Sequence, residues 1–76
     1  MTELLEFLVR ALVEDPGAVV VEELEEDGDL VYEITVADDD LGRVIGKGGR
    51  VANAIRTIAK AAAVRIDRRV IVDILD

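Results

Sequence analysis

Seventy-six residues carrying a net charge of −8 describe one small acidic domain, because a chain this short buries only about 60% of its unfolded surface and has no core to divide. The absence of Cys and His excludes disulfides and thiolate zinc sites and removes the commonest general base and metal ligand. No apolar run approaches the roughly 20 residues that span a bilayer, and the acidic start lacks the basic region of a signal peptide. The expectation is therefore a cytoplasmic protein without catalytic residue, metal, cofactor, membrane contact or small-molecule substrate.

A first helix is predicted from Glu3 to about Glu14, capped by Thr2, with Leu4, Leu5, Leu8, Val9 and Leu12 as its buried stripe. Phe7 reads as core or stripe edge rather than a stacking platform. Asp15-Pro16-Gly17 ends the helix, since the residue before proline leaves the α region. Two strands follow, 18–25 and 30–37, joined by an Asp27-Gly28 turn into a hairpin. In the second, Leu30, Tyr32, Ile34 and Val36 face one way. The acids from Glu22 to Asp29 read as a solvated hairpin tip, or as a charge that keeps nucleic acid off the wrong face. Asp38-Asp39-Asp40 suit the cap and first turn of a short helix over about 39–45, ahead of a cation site or acid–base chemistry.

Next comes Val44-Ile45-Gly46-Lys47-Gly48-Gly49-Arg50, apolar residues running into a glycine loop with a lysine. Glycines let the backbone turn sharply and approach another chain closely. The helix that opens at Arg50 directs free N–H groups and partial positive charge at the loop, which makes a phosphate site. It is not a Walker A loop: Gly42 to Gly46 is one residue too short, and Gly48 stands where a hydroxyl is needed. Nor is it a dinucleotide fingerprint, because Val51 holds the third glycine position. What remains is I-G-x-x-G with an apolar residue three further on, the loop of a KH module, which clamps about four backbone nucleotides.

The second long helix is predicted to run to about Ala63. Asn53, Arg56, Thr57 and Lys60 form one polar stripe, and the remaining apolar face is wider than one core contact needs. It is either a dimer interface or a tolerance for alanine that raises helix propensity. A closing strand, 69–75, points Val70, Val72 and Ile74 one way. The order is α-β-β-α-α-β in a single α+β domain covering 1–76. The pattern does not give the strand order.

The whole chain, from the first helix through DDDLGRVIGKGGRVANAIRTIAKAAA to RRVIVDILD, resembles the small single-domain bacterial KH proteins of the KhpA family. The resemblance implies a type II KH fold, a three-stranded sheet with helices packed on one face. It also implies single-stranded RNA binding, with Gly46, Lys47, Gly48 and Gly49 as the GXXG loop. By the same resemblance Gly46 and Gly49 admit the phosphates, and Lys47 and Arg50 neutralise them. Val44, Ile45 and Val51 would lie beneath the bases, with Arg43 and Arg56 at the rim. Gly48 departs from the family, which usually carries a polar side chain there. Homodimers are implied, as is a complex with a larger KH protein of the KhpB (Jag/EloR) type linked to cell elongation and division. That leaves a second reading, a protein-interaction module.

Charge distribution agrees with a polyanion. Residues 1–40 carry fourteen acids and only Arg10, for −13; residues 41–69 carry eight bases against Asp67, for +7; the last seven residues add −2. The total describes solubility, and the local block describes a face.

Overall fold

The computed structural model describes residues 1–76. Helix α1 spans Thr2–Leu12, strands β1 and β2 span Val20–Glu26 and Asp29–Thr35, helices α2 and α3 span Leu41–Ile45 and Arg50–Ala62, and strand β3 spans Val70–Ile74. This is the α-β-β-α-α-β order. Strand β2 is central. It pairs antiparallel with β1 and parallel with β3, giving the order β1-β2-β3. The α2–α3 pair forms the crossover that a parallel neighbour requires.

The core lies between this sheet and the helices on one of its faces. Leu5 and Val9 of α1, Val44 of α2, and Ile55 and Ala59 of α3 meet Leu30, Tyr32, Ile34, Val70 and Val72 of the sheet. Each large aliphatic side chain buried this way contributes about 1.5–3 kcal/mol before conformational entropy is counted. The Tyr32 hydroxyl reaches the edge of this core and donates to Glu23, its cross-strand partner, at 2.6 Å. Burial, then the Glu23 hydrogen bond and charge, push the phenol up to about 12, so it stays neutral through the ordinary pH range.

Several expectations shift. Helix α1 begins at Thr2, with no side-chain cap, and stops at Leu12. Leu12 is partly exposed and Phe7 is 70% exposed; Phe7 lies two residues from Leu5, and such positions do not share a helix face. The hairpin turn falls at Asp27 and Gly28, both at positive φ, as a two-residue hairpin needs. Its acids are not all idle: Glu23 holds Tyr32 and Glu25 pairs with Arg68.

Asp38–Asp40 forms a 3-10 turn rather than helix, and none of its carboxylates caps a helix. Asp40 instead turns inward, 2% exposed, and accepts the backbone N–H groups of Glu14 and Asp15 at 3.0 Å each. One carboxylate thus fastens the end of the α1 segment to the start of α2. The Glu14 amide, then the Asp15 amide and Arg43, hold its pKa below the ordinary value against the opposing effect of burial.

Candidate nucleic-acid interface

Helix α2 stops because Gly46 takes φ 75°, ψ 171°, a region essentially closed to other residues. The Gly46 amide still closes α2, donating to Gly42 at 2.8 Å. A Cβ added at Gly46 would sit 2.4 Å from Val51 Cγ2 and 2.9 Å from the Val51 nitrogen. The absent side chain is therefore the space into which α3 packs. Gly48 and Gly49 are left-handed, at φ 65° and 79°, and no side chain caps the amino end of α3. Gly48, the family departure, occupies a conformation glycine adopts freely, with open space where a Cβ would be.

The residues singled out from the sequence do not all reach this surface. Lys47, Gly48 and Arg50 are exposed and Ile45 is 38% exposed. Val51 is half-buried over Gly46. Val44, expected beneath the bases, is 0% exposed; the one-residue step from Ile45 turns it into the core, where it packs under the loop. Arg43, expected at the rim, is held by Asp40 at 3.0 Å and Glu14 at 2.9 Å. Its charge is already matched, and it braces α2. Arg56 leans across to the sheet, its Nε donating to the Val72 carbonyl at 3.2 Å, so it joins α3 to edge strand β3.

Pairing sorts the cations. Arg10, Arg43 and Arg68 sit in salt bridges. The six without a carboxylate partner are Lys47, Arg50, Arg56, Lys60, Arg65 and Arg69. All lie in the loop, on α3, or in the connection to β3.

Sequence reasoning missed one part of the surface. A groove of about 660 Å³ runs between α3 and the start of β3, with Lys60, Val64, Arg69 and Ile71 among its lining. Lys60 and Arg69 were visible as members of the basic block. Nothing local said that they line the same groove.

A sheet of order β1-β2-β3, helices on one face, and a glycine loop joining the two helices of the parallel crossover together define a type II KH domain. Within that class, the chain belongs to the KhpA/KhpB KH domain family, whose model matches residues 2–74. It is 48% identical to the RNA-binding protein KhpA of Caldanaerobacter subterraneus subsp. tengcongensis over 75 residues, 99% of this chain and 100% of the relative. Identity to the protein of the same description from Clostridium acetobutylicum is 47%, again over 99% of this chain and all of the relative. The Listeria monocytogenes protein so described is 41% identical, with both chains fully covered. No helix is long and apolar enough to cross a membrane.

Proposed function

We propose that this chain binds single-stranded RNA in the cytoplasm, clamping the sugar–phosphate backbone at Gly46-Lys47-Gly48-Gly49, and serves as an RNA chaperone or post-transcriptional regulator. The observation that carries the reading is that all six cations without a carboxylate partner lie in the glycine loop, on the helix α3 that follows it or in the connection to β3, with Lys47 and Arg50 at the loop itself. The names of its relatives support it too. Lys47 and Arg50 neutralise phosphates, Gly46 and Gly49 let the backbone approach, and Ile45 and Val51 offer apolar contact to bases. Neither the loop nor α3 contains an aromatic residue, so base recognition is weak and affinity rests on phosphates.

The test is the double substitution Lys47→Asp with Gly48→Asp, followed by fluorescence anisotropy of a labelled oligoribonucleotide. Lys47 is exposed, and aspartate tolerates the left-handed region of Gly48 better than most residues. The fold, checked by circular dichroism, is expected to persist while affinity falls at least tenfold. Parental affinity in a folded variant would remove the loop from the site.

A second reading, a pairing module, is favoured by the outer face of α3. Ala54, Ile58, Ala61 and Ala62 are exposed there, Ile58 at 41%. We assign this stripe to a second copy or to a KhpB-type partner, compatibly with RNA binding. Light scattering after size exclusion is expected to give a dimer mass for the parent and a monomer for Ile58→Glu. A parent that stays monomeric at high concentration would sink this assignment.

A further inference from the structure

Strand β1 is an open edge. In the order β1-β2-β3 it pairs with β2 alone, and its seven residues do so in unbroken register, with no proline among them. None of the backbone hydrogen bonds outside the regular elements involves β1, and Val20 and Glu22 to Glu26 are exposed. Its outward N–H and C=O groups are thus a template for one more strand. We infer that this edge is a docking site for an extended, lysine- or arginine-rich segment of a partner protein, added to the sheet as a fourth strand. The inference is independent of RNA binding at the loop.

Charge selects the occupant. Four of the seven β1 residues are glutamates. A second copy pairing through β1 would set four glutamates against four, and like charges opposed across strands are destabilising. Glu23 and Glu25 already hold Tyr32 and Arg68. Glu22 and Glu26 have no cation partner. Val21 lies in the core, so by strand alternation Glu22, Leu24 and Glu26 share the face turned away from the helices. On that face Glu22, Glu33 and Asp73 are register partners in one row. Three carboxylates stand abreast, and no salt bridge answers any of them. Leu24, Val31 and Ile71 form the next row, with Leu24 still 36% exposed at its end. Guarding an edge needs charge on the edge strand only. Acids continued over three strands, beside an apolar row whose end is bare, fit a strand that brings the opposite charge. Such a strand extends both rows when it reads basic–x–apolar–x–basic, its apolar residue beside Leu24 and its cations beside Glu22 and Glu26. Main-chain hydrogen bonds then supply affinity, and the alternate side chains supply selectivity.

The test is an NMR titration of the isotope-labelled full chain with the peptide Thr-Lys-Thr-Val-Thr-Lys-Thr at low salt. The peptide reads the same in both directions, so parallel and antiparallel pairing are tested at once. Shifts are expected along residues 20–26, with slowed amide exchange there at saturation. In the Glu22→Gln/Glu26→Gln variant two exposed side chains become neutral ones of the same shape, so the fold is kept. Peptide affinity should fall by about fivefold, the effect of two exposed charge pairs. The same peptide N-methylated at every amide keeps its charges but cannot donate to the edge, and it should lose binding to the parent. Equal binding by the methylated peptide would reduce the contact to charge attraction and overturn the added strand. Shifts absent from β1 at millimolar peptide, or an affinity untouched by the glutamine substitutions, would overturn the site.

Discussion

Gly46→Ala is expected to cost about 3 kcal/mol from backbone strain alone. At 4–8 °C per kcal/mol for a domain of this size, the melting temperature should fall by roughly 12–24 °C. Two effects combine. The backbone at φ 75°, ψ 171° is closed to a residue with a Cβ, and that Cβ would press on Val51 Cγ2 and on the Val51 nitrogen. The second contact cannot be relieved by a rotamer change, because the nitrogen belongs to the first turn of α3. Whatever folded protein remains should have a displaced loop and lose oligoribonucleotide binding. Gly42→Ala is the control. Gly42 lies inside α2 with nothing within 4 Å of an added Cβ, so alanine should stabilise by about 0.5–1 kcal/mol and leave binding unchanged. If Gly46→Ala melts with the parent, the account of the loop as a steric necessity is wrong.

Asp40→Asn should produce the second large effect, a fall in melting temperature on the order of ten degrees. Asparagine fits the space, but it presents an amide donor where the carboxylate accepts from both Glu14 and Asp15, and it gives up the charge opposite Arg43. The pH dependence separates this cause from simple loss of packing. The folded pKa of Asp40 is depressed, chiefly by the Glu14 amide. Its stabilisation is therefore complete above the ordinary value of 3.8 and is lost as pH falls through the lower folded value. Thermal melts of parent and variant should differ fully at pH 6 and draw together only below the ordinary value of 3.8, as pH falls through the lower folded value. A difference that persists unchanged into acid would mean that the carboxylate charge is not the source.

The loop was legible because its requirement is local. Three glycines in four residues announce a backbone at positive φ whatever surrounds them, and Gly46, Gly48 and Gly49 all adopt it. The hairpin was legible for the same reason, at Asp27-Gly28. Asp40 was misassigned because a carboxylate before a short helix obeys the capping rule in isolation, while its real partners are amides 25 and 26 residues away. Val44 and Ile45 could not be separated because five residues of α2 are too few to show a helical phase. Arg43 counted as free charge until Glu14 and Asp40 were seen beside it.

By itself, then, the sequence determined the class of domain, the order of its elements, the position of the bare loop and the block of chain that holds the cations. These follow from backbone sterics, side-chain periodicity and composition, all of which act between near neighbours. Only the tertiary structure decided that β2 is central, that Asp40 faces inward, that Arg43 is spent while Lys47 and Arg50 are not, and that Lys60 and Arg69 flank a groove. Each of these depends on which distant segment packs alongside, and burial and charge pairing across the fold set that choice.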